Sequence, residues 1–332
     1  MNQGKIGIEA GDGLGASSSL LAEMLTPILG LPSKLEDGHR LSGDYASLVV
    51  TSDVFSVDPI VFPGGDIGSL AACGAINDLA ASGARLMYCT LGIYASAELE
   101  RSLLQRCLSS FADLVRAEGA AVVGGDTKVH PELSPELILF VTAIGRSVSS
   151  SSFDLDATEV GDDIYVTGPL GDHSIAVLSA REGLGFESVV RSDAHPLAGP
   201  VLELAERELV HSVRDLTRGG LVAALWDAFG ATGLTYGIRR EDIPVGERTR
   251  AAAEMLGLDV LALTNEGCML IIAPAINREH VLEVLRRHPE TERAKVIGAV
   301  GSPSTVGPVV LADGEDAQVL PLPRGLGVPR LC

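Results

Sequence analysis

Lysine is almost missing from this chain: of its 25 basic residues only Lys5, Lys34, Lys128 and Lys295 are lysines. There is no basic run anywhere, and the formal net charge is -19, a balance that repels a phosphate backbone and excludes nucleic acid and anionic membrane as partners. Aromatics are also few, at 4% of residues, so the interior has to be filled by Ala, Val, Leu and Ile. No apolar stretch reaches the roughly 18 residues that a bilayer span needs. The opening Met1-Asn-Gln-Gly-Lys-Ile-Gly-Ile lacks the apolar core of a signal peptide, so the cytoplasm is the expected location. Five cysteines, Cys73, Cys89, Cys107, Cys268 and Cys332, form no CxxC pair, which fits neither a disulfide framework nor a zinc site. A Gly-x-x-x-x-Gly-Lys-Ser/Thr loop is absent too, so any nucleotide must be held without a P-loop.

What is present suggests two α+β units. Strand patterns over Leu48–Val57, Arg85–Tyr94, Ala121–Gly125 and Leu137–Gly145 alternate with helical ones over Ser69–Ser82 and Ala97–Glu118. The serine-rich stretch Arg146–Phe153 reads as a linker. Beyond it, Asp163–Pro274 mixes short β-branched runs with Ala- and Leu-rich helices, followed by a helix over Asn277–His288 and strands near Lys295–Val300 and Val309–Ala312. The tail Pro321-Leu-Pro-Arg-Gly-Leu-Gly-Val-Pro-Arg-Leu-Cys332 has no periodic pattern. Extended, about twelve residues reach on the order of 40 Å, enough to carry the Cys332 thiol between two sites. Cys332 is thus either a frayed end or a substrate carrier.

Acidic residues recur at strand ends and loop edges: Glu36-Asp37, Thr51-Ser-Asp53, Asn77-Asp78 and Gly124-Gly-Asp126-Thr-Lys128. Carboxylates gathered from such places can hold Mg²⁺, although each alone is equally a cap or a turn residue. The loop Pro63-Gly-Gly-Asp-Ile-Gly68 offers main-chain amides to a phosphate. Gly11-Asp-Gly-Leu-Gly-Ala16 mimics a dinucleotide fingerprint, but no second buried parallel strand carries the acid that motif needs. In a chain that prefers arginine so strongly, Lys128 is either a compact, titratable ammonium for a phosphate or a proton, or an ordinary surface lysine. Arg214-Asp-Leu-Thr-Arg-Gly-Gly220 opens a helix, where Asp215 or Thr217 either caps the end or, with Arg218, meets an anion. Asn265-Glu-Gly267 forms a glycine turn between two expected apolar strands, Val260–Leu263 and Met269–Ile272, as a desolvated base or a solvated hairpin tip. Gly171-Asp-His173 stands at a strand-to-helix turn, with His173 read as a cap or packing residue.

Taken in order, these motifs and the terminal Pro329-Arg-Leu-Cys332 resemble the HypE family of hydrogenase maturation proteins, over nearly the whole chain. That family sits in the superfamily of aminoimidazole ribonucleotide synthetase (PurM), selenophosphate synthetase and thiamine monophosphate kinase. The resemblance implies a PurM-like two-domain α+β architecture. Residues 1–36 would form a segment with a glycine loop, 37–150 an ATP- and Mg-binding domain that dimerises through its sheet, 151–320 an α/β-sandwich domain, and 321–332 a flexible tail. It implies ATP and Mg²⁺ as cofactors, with Asp37, Asp53, Asp78 and Asp126 on the metal and Gly64, Gly65, Asp66, Asn77, Thr127, Asp215, Thr217 and Arg218 on the nucleotide. Cys332 would accept a carbamoyl group from a HypF-type carbamoyltransferase. Lys128 and Glu266 would then assist its ATP-dependent dehydration to a thiocyanate, and the nitrile would pass to iron on a HypC–HypD scaffold. Two departures stand out: Cys268 where the family usually has lysine, and Ala10-Gly-Asp-Gly-Leu-Gly15 in place of a His-Gly-Ser-Gly-Gly loop. The competing functions are a synthetase or kinase acting on a free small molecule, and a carrier or scaffold whose modified tail is simply handed on.

Overall fold

The computed structural model describes residues 39–40, 45–149, 153–185, 190–314 and 316–322. Asp37, the Gly11–Gly15 loop and Cys332 lie outside them. The first unit runs β1 (His39–Arg40), β2 (Leu48–Phe55), the short pair β3 (Val61–Phe62) and β4 (Gly65–Asp66), α1 (Ile67–Ala81), β5 (Ala84–Ser96), α2 (Arg101–Ala117), β6 (Ala121–His130) and β7 (Leu137–Ser147). Its five-stranded sheet has the order β1-β2-β7-β5-β6. The second unit runs β8 (Asp162–Val166), α3 (Asp172–Glu182), α4 (Ala198–Glu206), β9 (Ser212–Asp215), α5 (Gly220–Thr232), β10 (Thr235–Arg239), α6 (Glu247–Leu256), β11 (Met269–Pro274), α7 (Arg278–Arg287), β12 (Lys295–Gly301), β13 (Val309–Asp313) and β14 (Asp316–Val319). Seven of these strands form a sheet of order β14-β13-β10-β12-β8-β11-β9. Among the described residues no helix is long and apolar enough to cross a membrane.

The helix α1 organises the molecule. Its sequence Ile67-Gly-Ser-Leu-Ala-Ala-Cys-Gly-Ala-Ile-Asn-Asp-Leu-Ala-Ala81 carries no charge before Asp78, and 13 of its 15 residues are buried. A helix apolar on every side belongs inside a core. It packs on β2, β5, β7 and α2 of its own unit and on α4 and β9 of the second. One apolar cluster therefore runs from Val49, Phe55 and Leu79 through to Val201, Met269 and Ile271, joining the two units. On the far face of the second sheet, α5 covers Ile164, Val166, Leu270 and Ile272. Each such side chain contributes about 1.5–3 kcal/mol by leaving water. By contrast α2 buries only Cys107, Phe111 and Val115, one stripe at four-residue spacing, and keeps its charged face in solvent.

Two expectations are corrected here. The run Val260–Leu263 is not a strand: Val260–Ala262 form a 3₁₀ turn whose start is capped by Asp259, which accepts from the Leu261 N–H. The expected linker begins later than its composition suggests, because Arg146 and Ser147 still pair with β5 as the end of β7.

Candidate active site at the seam between the units

At the last turn of α1, Asp78 meets Asp53 of β2. Period-two alternation turns Val49, Thr51 and Phe55 inward toward α1, and the half-buried Asp53 shares that face. The Thr51 hydroxyl lies 3.0 Å from the Asp53 Oδ2 and 3.0 Å from the Asp78 Oδ2. A hydroxyl has one proton to donate, so it cannot satisfy both carboxylates at once. Two acids drawn to one hydroxyl, with oxygen the only donor type, are a pair that suits a hard cation such as Mg²⁺.

The neighbouring Asn77 is committed to the main chain of the second unit. Its amide donates to the carbonyls of His195 and Glu266, each at 3.1 Å, and its oxygen accepts from the Leu197 N–H at 2.7 Å. The contacts with His195 and Leu197 fasten a strap, residues 190–197, that runs along the seam. At its other end the Ser192 N–H donates to the Pro63 carbonyl at 2.7 Å. Gly64 there has φ +105°, and a Cβ on it would sit 2.8 Å from the Ser192 nitrogen, so only glycine lets the strap pass. The fully buried His173, read from sequence as a cap or packing residue, lies 2.8 Å from the Ser192 hydroxyl and edge-on to Phe62. Burial lowers its pKa to about 3, so it stays neutral.

The Asn265-Glu266-Gly267 turn closes against this strap. Asn265 is 1% exposed; its side chain accepts from Gly171 N–H at 2.7 Å and donates to the carbonyls of Leu216 and Leu263. Glu266 is 7% exposed, so it is no solvated hairpin tip, and its charge reaches Cys73 of α1, whose thiol is pushed up chiefly by burial and then by this carboxylate. Asp215 ends β9 opposite Met269, and the following Leu216 N–H bonds to the Cys268 carbonyl, so the Asp215–Arg218 loop lies beside the turn. Neither Asp215 nor Thr217 caps α5. Its N-cap is Gly219, in left-handed conformation with no side-chain cap, and the first helical N–H, that of Gly220, donates to the Thr217 carbonyl at 3.0 Å. Cys268, in the position where the resemblance expects lysine, is buried; burial pushes its thiol up to about 12, so it is neutral and unreactive.

Several expected site residues stand elsewhere. Gly64, Gly65 and Asp66 lie at the opposite end of α1, about 18 Å along the axis from Asp78 at 1.5 Å per residue. The expected phosphate amides are partly taken: the Asp66 carboxylate accepts from the Gly68 and Ser69 N–H groups, from the Ser110 hydroxyl and from Arg106. A cavity of about 470 Å³ opens there between Pro63, Ser69, Arg106 and Arg191. Asp126, Thr127 and Lys128 are exposed on β6, the edge strand of the first sheet. Asp126 aligns with Gly92, Phe140 and Val54, whereas Asp53 aligns with Val141, Leu91 and Gly125 one row away, on the other face. The four-carboxylate set is thus not assembled: among the described residues no three His, Cys, Asp or Glu gather as a metal site, and Asp37 is outside them. One participant escaped sequence reasoning altogether. Asp193 of the strap accepts from the main-chain N–H groups of Glu266 and Gly267, and the only hint was an acid inside the short polar run Arg191-Ser-Asp-Ala-His195.

A helix clamped between a five-stranded and a seven-stranded sheet, with acids at the seam, defines the AIR synthase related class. The model of that class's N-terminal domain matches residues 37–147, and that of its C-terminal domain matches residues 159–310. The carbamoyl dehydratase HypE of Azotobacter vinelandii is 40% identical over 256 residues, spanning 76% of this chain and 75% of its own. Among solved structures, the HypE of a HypE–HypF complex superposes with TM-score 0.86 at 30% identity, over 93% of this chain and 100% of that one. A HypE in complex with ATP gives 0.81 at 34% identity, over 94% and 96%. The chain belongs to the HypE family of AIR synthase related proteins.

Proposed function

We propose that this protein dehydrates a carbamoyl group carried on its own Cys332 to a thiocyanate at the expense of ATP, and so supplies the cyanide ligands of nickel-iron hydrogenases. The observation that carries the reading is the seam itself, where the Asp53–Asp78 pair and Glu266 are tied together through Asn77. Relatives named carbamoyl dehydratase, and a relative bound to ATP, support the reaction class.

The chemistry explains the parts. An amide oxygen does not leave unaided, and its N–H is a poor acid. Transfer of the ATP γ-phosphoryl group to the carbamoyl oxygen makes an O-phospho-imidate and ADP. Loss of the remaining N–H proton with departure of phosphate then forms the C≡N bond. The balance is thiocarbamate plus ATP giving thiocyanate, ADP, phosphate and a proton. Glu266, held in a largely dry seam, takes the nitrogen proton. Asp53 and Asp78 would hold Mg²⁺, which supplies charge neutralisation for the triphosphate in a strongly anionic chain. The Asp215–Arg218 loop, which leads into α5, receives phosphate oxygens. Lys128, with Asp126 and Thr127 beside it on β6, lies on the sheet face opposite Asp53, so its charge acts from outside the acid pair. Gly64, Gly65 and Asp66 act indirectly, by seating the strap and the start of α1.

A HypF-type carbamoyltransferase loads Cys332, in keeping with the HypE–HypF complex of a relative, and a HypC–HypD scaffold takes the nitrile. The protein works in the cytoplasm as a homodimer. Support for the dimer comes from the first sheet, whose outer face and edge expose Val54, Tyr88, Phe140, Val122, Val123 and Val129, an apolar area suited to a second copy. The test is to incubate the protein with carbamoyl phosphate, its transferase and ATP and to follow the mass of the C-terminal peptide. A carbamoyl adduct that later loses one water supports the reading; the absence of any adduct favours a free small-molecule substrate.

A further inference from the structure

We propose that Asp193 is a positioning residue for Glu266, acting from the strap on the main chain that carries the base. The inference rests on Glu266 being the base and adds the device that aims it. Asp193 Oδ1 accepts from the Glu266 N–H and Oδ2 from the Gly267 N–H, both at 3.2 Å. On the other side of the same residue, Asn77 donates to the Glu266 carbonyl at 3.1 Å. Both main-chain groups of Glu266 are therefore held by side chains from outside its own turn, which fixes the direction in which its Cα–Cβ bond points. The strap lies so close that a Cβ on Gly267 would come 1.8 Å from the Asp193 carbonyl oxygen, so turn and strap can move only together.

The surroundings suit a clamp rather than a second proton carrier. Asp193 faces Asp172 of α3, Cys73 of α1, and Glu266 and Cys268 on either side of Gly267. What holds its carboxylate is the pair of amide donors and, more weakly, its own N–H. Desolvation pushes its pKa up to about 7, with those two N–H groups opposing the shift. A protonated carboxyl would give up one of its two acceptor oxygens, so the clamp is complete only when Asp193 is ionised.

The experiment is a double-mutant cycle on the full-length, pre-carbamoylated protein: wild type, Asp193→Asn, Glu266→Gln and the double variant. Single-turnover dehydration, ATP affinity and carbamoyl loading are measured on the same samples. Misaiming a catalytic group by about 1 Å costs roughly 100-fold, so Asp193→Asn should slow dehydration by about that factor while ATP affinity and loading stay within about twofold. Because Asp193 acts through Glu266, the double variant should be no slower than Glu266→Gln alone. Multiplying effects, or a wild-type rate for Asp193→Asn, would overturn the proposal while leaving the base in place. A wild-type rate for Glu266→Gln would instead remove the base, and the reason to aim it. Should Asp193→Asn melt below assay temperature, Asp193→Ser at a temperature where it is folded decides by the same comparison.

Discussion

The two ends of α1 carry acids of opposite fate. At the start, Asp66 is the N-cap of a reciprocal capping box with Ser69 and has further partners in Ser110 and Arg106, so every lone pair that matters is answered inside the fold. At the finish, Asp78 shares the single proton of Thr51 with Asp53 and stands next to Asn77, which bonds to the other unit. The first arrangement holds a helix in place; the second sets two carboxylates against one hydroxyl proton. The glycine-rich motif, which looks more like a phosphate cradle on paper, has its acid fully committed, whereas the plain Asn77-Asp78 pair in the helix body faces the seam.

The largest effect that could break this comparison is at the end that carries the acid pair. Asp78→Asn should lower ATP-dependent dehydration about 100-fold, as removal of a group serving transition-state charge does, with the melting temperature little changed; single-turnover rates check it. Asn77→Ala removes three hydrogen bonds across the seam, and at about 1 kcal/mol each the protein should lose roughly 3 kcal/mol, measurable by urea unfolding. Ser69→Ala, which breaks only the capping box, should cost about 1 kcal/mol and leave the dehydration rate within about twofold; a large loss of rate would make the start of α1 part of the site. The smallest effect is in the pH dependence of stability. Asp193 has a folded pKa of about 7, above its unfolded value near 3.9. It therefore favours the fold fully below that lower value and less as pH rises toward 7. Asp193→Asn should remove this decline and make the slope of stability against pH more positive between about 4 and 7, read from unfolding midpoints.

The amino-acid order makes the fold legible where period and composition coincide. The alternation of β2, the alanine-rich α1 and the strands after Lys295 all stand where their patterns place them. Val260–Leu263 misleads because a short apolar run is equally compatible with a buried turn, and the Asp259 cap decides it. At the site, Asp53, Asp78, Asn265 and Glu266 are visible as polar residues in apolar settings. What the chain could not announce is pairing at long range: Asp193 and Glu266 are 73 positions apart, and only the strap brings them together. Nor could motif reading tell that Asp126 and Asp53 lie on opposite faces of one sheet, which depends on strand register.

The most direct measurement is the mass of the Cys332 peptide through one turnover, after loading with carbamoyl phosphate and a HypF-type transferase and then adding ATP and Mg²⁺. The adduct should lose one molecule of water as ADP appears in equal amount, and in Glu266→Gln it should persist intact. A carbamoyl adduct that keeps its water while wild-type protein hydrolyses ATP would contradict the account.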